Sequence, residues 1–205
     1  MNLISNKVWA ALAVASLAAT ATQAASITGS LWVNQVSASQ SATIKNIPTT
    51  TPDVTFSVNS PLNFNSYVGG YTVGGFLQSG GATILTGSDL SGHSLDNTFI
   101  AFMGQVTVAN GETFTVTHDD GLQLKIGESL LINEPGPFAP TTDTWTYTGN
   151  PGTYPFVLTY GESWGAPAVL QISLPLENVP DGGATIALLG GAITTLGMMY
   201  RRVRK

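Results

Sequence analysis

Apolar and polar residues alternate with a two-residue period along most of the chain between residues 26 and 174. Phe114 and Val116 stand between threonines, and Leu122, Leu124 and Ile126 stand between polar residues. Successive strand side chains point to opposite faces of a sheet, so this period predicts half-buried strands. Many short strands separated by turn residues predict an all-β fold, an antiparallel β-sandwich or jelly-roll-like domain. The predicted strands cover residues 26–36, 54–58, 67–73, 82–85, 97–103, 105–109, 112–118, 122–126, 129–132, 143–147, 154–160 and 168–174.

The first 24 residues have the three parts of a secretory signal peptide. Lys7 supplies the positive charge, residues 8–19 form an apolar run, and small residues lead to Ala24, where we expect cleavage. An uncleaved N-terminal anchor is the alternative, and the small residues at the end of the run argue against it. The sequence therefore predicts export of a domain spanning residues 25–178.

The segment 179–205 also has three parts. A Pro-Asp-Gly pentapeptide precedes the apolar segment 184–200, and a basic tail follows. At 1.5 Å per residue, a helix over the apolar segment would span about 25 Å, slightly less than a typical hydrocarbon core. The basic tail would hold the end of the chain in the cytoplasm. The pentapeptide is Val179, Pro180, Asp181, Gly182 and Gly183, and the tail contains Arg201, Arg202, Arg204 and Lys205.

This tail resembles the VPDGG-CTERM sorting signal, a variant of the bacterial PEP-CTERM class that exosortases read. The resemblance implies export by the secretion machinery and temporary membrane insertion through residues 184–200. It also implies processing near Pro180 and Asp181 by an exosortase-type sorting enzyme, with delivery to the cell surface or extracellular matrix. A simple single-pass anchor is the alternative.

The charge distribution limits the possible partners. Between Ala25 and Pro180 the chain has two lysines and eleven acidic residues, a formal net charge of −9. Nucleic-acid binding requires basic surface, so that class is excluded. The chain has no cysteine, which excludes disulfides and thiolate metal sites. The acidic body suits an exterior rich in divalent cations.

Two adjacent carboxylates, Asp119 and Asp120, stand between two predicted strands and precede Gly121. Neighbouring like charges repel unless water or a cation neutralises them. Carboxylate oxygens are hard ligands that suit Ca²⁺. The alternative is a solvated Asp-Gly hairpin turn, and the local sequence alone favours this interpretation.

The order and spacing of segments between residues 95 and 175 resemble the protective-antigen-type β-sandwich, whose lectin-like relatives include the yeast flocculin and GLEYA adhesins. In lectin members, two aspartates joined by a cis peptide bind Ca²⁺ at the mouth of a sugar pocket, and they match Asp119 and Asp120. The segments that carry the resemblance are 97–106, 111–117, 119–124, 131–133, 152–160, 163–165 and 168–174.

The resemblance also implies a second loop that contributes an asparagine shortly before a tryptophan. The matching loop, residues 160–165, has no asparagine, and Glu162 is the candidate replacement as a metal ligand. Trp164 in this loop is a candidate sugar contact, since tryptophan offers a large amphipathic ring. Asn133, in the strand-end segment 131–133, is the second candidate sugar contact.

We do not expect an enzyme. The chain has two histidines, and no nucleophile elbow, phosphate loop or metalloprotease helix occurs. His118 precedes Asp119, but neighbouring strand residues point to opposite faces, so His118 is expected to be a packed or half-exposed strand residue. Trp145 is expected in the core. The proline-rich loop 133–140 is expected to be a stiff surface loop; a plain connector is the favoured interpretation, and a position near the two aspartates is the alternative.

The sequence thus predicts a surface or matrix protein with a Ca²⁺-dependent carbohydrate-binding domain of the lectin or adhesin type, with surface or matrix glycans as partners. The alternative is a structural matrix protein that binds no sugar. Fold alone does not decide between them, because one fold hosts many functions.

Overall fold

A computed structural model of the protein describes residues 26–87 and 90–177. The predicted signal peptide and the predicted sorting segment lie outside these residues. In the described part of the chain, no helix is both long and apolar enough to cross a membrane. The strands are β1 (Ser26–Trp32), β2 (Val54–Asn59), β3 (Leu62–Asn65), β4 (Thr83–Gly87), β5 (Thr98–Val108), β6 (Thr113–Asp119), β7 (Gly121–Ile126), β8 (Ser129–Glu134), β9 (Thr141–Thr146), β10 (Gly152–Glu162), β11 (Val169–Ile172) and β12 (Leu176–Glu177). The helices are α1 (Val36–Ser39), a 3-10 helix (Ile44–Asn46), α2 (Ser66–Gly69) and α3 (Val73–Ser79).

Two antiparallel sheets form a sandwich, which confirms the predicted fold class. The larger sheet has the strand order β4-β2-β1-β5-β10-β7-β8, and β12 pairs with β5 at Val106, beyond the reach of β1. The smaller sheet has the order β3-β11-β6-β9. The long strands β5 and β10 pair over their whole length and form the centre of the larger sheet.

The core lies between the sheets and is rich in aromatic rings. Phe56 packs edge-on against Phe102, and α3 inserts Phe76 between the rings of Phe64 and Tyr160, at centroid distances of 5.1 and 5.9 Å. All five side chains are fully buried. Offset and edge-on pairs of this kind stabilise a core beyond the area they bury, so α3 closes one end of the sandwich.

The predicted strand over residues 67–73 is wrong, because this segment forms parts of α2 and α3. Two side chains cap the helices: Asn65 accepts from the Tyr67 backbone N–H, and Thr72 accepts from the Gly75 backbone N–H. Such caps satisfy amide groups that a helix start leaves free. The alternation of the sequence carried no sign of these local bonds.

A single strand, β5, stands where two strands were predicted at 97–103 and 105–109. Gly104 lies within β5 and pairs with Phe156 of β10, so the glycine does not interrupt the ladder. The partner strand supplies the hydrogen bonds that hold this residue extended, although glycine is unfavourable within strands.

The hairpin interpretation of Asp119–Asp120 is also wrong. β6 pairs with β9 and β11 in the smaller sheet, whereas β7 pairs with β10 and β8 in the larger sheet. The two aspartates therefore mark the point where the chain crosses from one sheet to the other. This crossing places them at the edge of the sandwich interior, where they are shielded from solvent.

Candidate metal centre at the crossing between the sheets

Three carboxylates meet at this crossing. Asp119 ends β6, Asp120 follows it, and Glu162 ends β10. One oxygen of each lies within 4.8 Å of the others. Asp119 and Asp120 are 6% exposed and Glu162 is fully buried. The Asp119–Asp120 peptide bond is cis.

Backbone amides from two other loops hold Asp120. Its Oδ1 accepts from the Phe138 N–H at 3.1 Å, and its Oδ2 accepts from the Ser163 N–H at 2.8 Å. Gly121 leaves room for this arrangement, because a Cβ there would lie 2.3 Å from the Pro135 carbonyl oxygen. The crossing, the proline-rich loop and the loop after β10 are therefore joined through one side chain.

Two tyrosine hydroxyls orient Glu162. Tyr71 lies 2.9 Å from Oε1, and Tyr160 lies 2.9 Å from Oε2. The Tyr160 hydroxyl also contacts the Asp119 carbonyl oxygen, and the Tyr71 hydroxyl also contacts Asp96. Each hydroxyl has one proton for two acceptors. A proton held by Glu162 when no cation is bound would complete one of these two pairs of contacts, that of the tyrosine facing the protonated oxygen.

The electrostatics of Asp119 and Glu162 favour retained protons or a bound cation. Burial and the neighbouring Asp120 raise the pKa of Glu162 to about 9. Burial and Asp120 also raise the pKa of Asp119 to about 6. Across residues 26–87 and 90–177, the two salt bridges are His118–Glu134 and Lys125–Glu128. No lysine or arginine in that part of the chain therefore neutralises the three carboxylates.

The donor set fits a hard divalent cation. Calcium takes six to eight oxygen ligands, with carboxylates foremost. Besides the three carboxylates, two buried hydroxyls have no hydrogen-bond partner among the described residues: Thr98 Oγ1 and Ser163 Oγ. Thr98 pairs with Glu162 across the β5–β10 ladder, so the two side chains share a face. Buried polar atoms without partners are uncommon. A third such atom in the described residues, Trp145 Nε1, lies on β9, whereas Thr98 and Ser163 are neighbours of Glu162 in the ladder and in the sequence.

His118 contacts the backbone of Asp120 next to the three carboxylates. It is 1% exposed, its Nδ1 lies 2.5 Å from the Asp120 carbonyl oxygen, and its Nε2 lies 2.8 Å from Glu134 Oε2. A carbonyl can only accept, so Nδ1 donates. The expectation of a packed strand residue is confirmed. Glu134, Asp143 and His118 also form a second convergent set of possible metal ligands.

The proline-rich loop is more than the connector that we expected. The Phe138 N–H donates to Asp120 Oδ1, and the Phe138 ring packs edge-on against the His118 ring at a centroid distance of 5.5 Å. The alternative of a loop near the two aspartates is therefore the one the structure shows, although the individual contacts depend on how β6 and β8 are paired with other strands.

The candidate sugar contacts lie in different places. Trp164 is 62% exposed and directly follows Ser163, beside the carboxylates. Asn133 lies elsewhere: its Oδ1 accepts from Gln123 Nε2 at 2.6 Å, on the opposite strand face from Glu134. The structure does not bring Asn133 to the carboxylate group. Trp145 is half-buried and packs against the core, as expected.

Five contributors to the site were not predicted from the sequence. Two of them had a signal: Tyr160 lies two residues before Glu162 on one strand and must share its face, and Ser163 directly follows Glu162. The other three come from distant segments, and no local pattern identifies them. The missed contributors are Tyr71, Thr98, Phe138, Tyr160 and Ser163.

Two solved structures with a similar fold are PA14 domains. The PA14 sugar-binding domain from an RTX adhesin is 17% identical, with a TM-score of 0.50, over 73% of this chain and 88% of that domain. The PA14 domain of the MpAFP antifreeze protein is 18% identical, with a TM-score of 0.50, over 71% of this chain and 78% of that one. The described part of the chain therefore has the fold of these PA14 domains, which confirms the protective-antigen-type resemblance.

The end of the chain matches a sorting motif. Residues 178–203 match the family described as the VPDSG-CTERM motif, an exosortase-type sorting signal, and Gly182 stands where that description has serine. The predicted sorting signal is thereby confirmed, and it indicates a secreted, surface-anchored protein. No curated protein matches this chain significantly.

Proposed function

We propose that this protein is a surface-sorted, non-enzymatic carbohydrate-binding protein of the lectin or adhesin type, whose sugar binding depends on Ca²⁺. The observation that carries the proposal is the buried set of three carboxylates without a basic partner, placed beside an exposed tryptophan. The similar solved domains include one described as sugar-binding, which agrees with this function.

Asp119, Asp120 and Glu162 would hold the ion. A bound Ca²⁺ supplies positive charge and open coordination positions that suit sugar hydroxyls. Asp119 and Asp120 retain a small exposed fraction, so the open side of the site faces solvent through them. Trp164 offers an apolar ring face for the C–H surface of a sugar. Ser163, bonded to Asp120, sets the position of that tryptophan relative to the carboxylates.

The sorting motif supports a route to this location. The secretion machinery would export the chain, and residues 184–200 would hold the precursor in the membrane. An exosortase-type enzyme would then process it near Pro180 and Asp181 and release it to the cell surface or matrix. The partners at the surface would be surface or matrix glycans.

A structural matrix role is the second candidate, and one observation favours it. Asp120 already joins three segments of the chain, so a cation there could act only as a brace. In that case Ca²⁺ would stabilise the fold and no sugar would bind.

Thermal unfolding with Ca²⁺ and with chelator tests the metal site. A ligand that binds only the folded state at a hundredfold excess over its dissociation constant stabilises it by about 2.7 kcal/mol. We expect a rise in Tm that is absent in the Asp119→Asn/Asp120→Asn variant. No rise at millimolar Ca²⁺ in the wild type would exclude the cation site.

A glycan array with the same two proteins separates the two candidates. Sugar binding by the wild type and its loss in the folded double variant support the lectin. Silence of the wild type despite a clear Tm shift supports the structural brace. Sugar binding that survives in the folded double variant contradicts the Ca²⁺-dependent mechanism.

A further inference from the structure

The backbone on both sides of Trp164 is anchored by separate aspartates. On one side, the Ser163 N–H donates to Asp120 Oδ2 at 2.8 Å. On the other side, the Gly165 N–H donates to Asp96 Oδ1 at 3.1 Å. The loop is thus held at two points while the Trp164 side chain itself is 62% exposed.

Asp96 is itself fixed by its neighbours. Ser94 Oγ donates to its Oδ2 at 2.8 Å, and the Tyr71 hydroxyl lies 2.9 Å from its Oδ1. Burial acts to raise the pKa of Asp96, but hydrogen bonds from Ser94, Tyr71 and Gly165 outweigh it and leave the pKa lowered. Asp96 is therefore an ionised acceptor held in one orientation.

Tyr71 joins this anchor to the carboxylate group. Its hydroxyl lies 2.9 Å from both Asp96 Oδ1 and Glu162 Oε1. Polar contacts of 2.9 to 3.1 Å therefore link Glu162 through Tyr71 and Asp96 to Gly165. The three segments that contribute these residues are far apart in sequence, since Tyr71 and Glu162 are separated by 91 positions.

We propose that Asp96, held against Glu162 by Tyr71, is the positioning residue that fixes the Trp164 loop beside the carboxylate group. This inference rests on the proposed function, in which the Trp164 ring contacts the sugar. A ring that must stack on a ligand gains affinity when its backbone is already ordered. Gly165 has a φ of +83°, a backbone conformation that glycine adopts readily. Because glycine restricts the backbone little, a hydrogen bond from outside the loop is needed to fix the loop's conformation.

The test uses ¹⁹F NMR of the full chain in detergent micelles, labelled with 5-fluorotryptophan, in metal-free buffer. The chain has four tryptophans, and Trp164→Phe identifies the signal of Trp164. We expect Asp96→Ala to change the linewidth or the chemical shift of the Trp164 signal about twice as much as those of the Trp32 and Trp145 signals. Tyr71→Phe should change it in the same direction by a smaller amount.

Two matched variants separate positioning from a general loss of structure. Asp96→Asn keeps an oxygen that can accept from Gly165, so it should retain the wild-type signal of Trp164. Tyr67→Phe removes the hydroxyl of a tyrosine that is 73% exposed and should also leave that signal unchanged. Equal changes at all tryptophans in Asp96→Ala, or none at Trp164, would overturn the proposal.

The same samples distinguish this proposal from the proposed function. The comparison of wild type with Asp96→Ala needs no Ca²⁺, so it decides the positioning role by itself. A subsequent titration with Ca²⁺ alone tests the cation site. Absence of Ca²⁺ binding would contradict the proposed function without altering the result for Asp96.

Discussion

Replacement of Glu162 by glutamine should stabilise the cation-free protein at neutral and alkaline pH. Burial and Asp120 raise the pKa of Glu162 from 4.5 to about 9 in the folded protein. Between these values the folded state binds one more proton than the unfolded state, so the free energy of unfolding falls as pH rises. One pKa unit corresponds to about 1.4 kcal/mol, so the fall from pH 5 to pH 8 is about 4 kcal/mol. Glutamine has a similar volume and does not titrate.

Urea unfolding at pH 5, 6, 7 and 8 in metal-free buffer measures this difference. We expect Glu162→Gln and the wild type to be closest at pH 5 and to separate by up to about 4 kcal/mol at pH 8, with an unchanged m-value. Glu128→Gln is the matched control, because the Glu128 side chain is 99% exposed. With Ca²⁺ at pH 8 the order should reverse, since only the wild type keeps the full ligand set. Parallel pH profiles for wild type and Glu162→Gln in metal-free buffer would refute the reasoning.

Three further predictions follow from the same geometry. Ca²⁺ affinity should rise between pH 6 and pH 9, because Glu162 and Asp119 must release protons on binding; calorimetric heats that do not depend on the ionisation enthalpy of the buffer would contradict this. Gly121→Ala should lower the free energy of unfolding by about 1–3 kcal/mol, because the added Cβ would meet a backbone carbonyl at 2.3 Å; Gly136→Ala, which meets open space, is the control. Phe76→Ala should lower it by about 3–5 kcal/mol in urea unfolding, because the ring is fully buried between two others; a loss below about 1 kcal/mol would show that α3 does not close the core.

Much of the fold was predictable because alternation is a local property. The burial pattern of β2 follows the sequence residue by residue, and the ends of β10 differ by two residues from the prediction. The helices α2 and α3 were not predicted, because their sequence signal is one capping side chain each and not a repeat of apolar positions. Asn65 and Thr72 each cap a short helix, and short helices bury too few residues to show a repeat.

Strand pairing was not predictable in the same way. β6 and β7 are adjacent in sequence with a plausible turn between them, yet they belong to different sheets. Pairing depends on partners such as β11 and β10, which come 30 to 56 residues later and leave no mark on the local pattern. The burial of Asp119 and Asp120 depends on this pairing and on the two loops that contact Asp120.

The sequence by itself determined the class of fold through local alternation, and it indicated the sorting motif and the three candidate carboxylates through resemblance to known families. Only the tertiary structure decided that these carboxylates meet, that they lack a basic partner in the described part of the chain, and that Tyr71 and Asp96 join them to Trp164. The physical reason is desolvation: a carboxylate in water is unremarkable, whereas a buried one must hold a proton or a cation. Burial is a property of the assembled sandwich and not of any single segment.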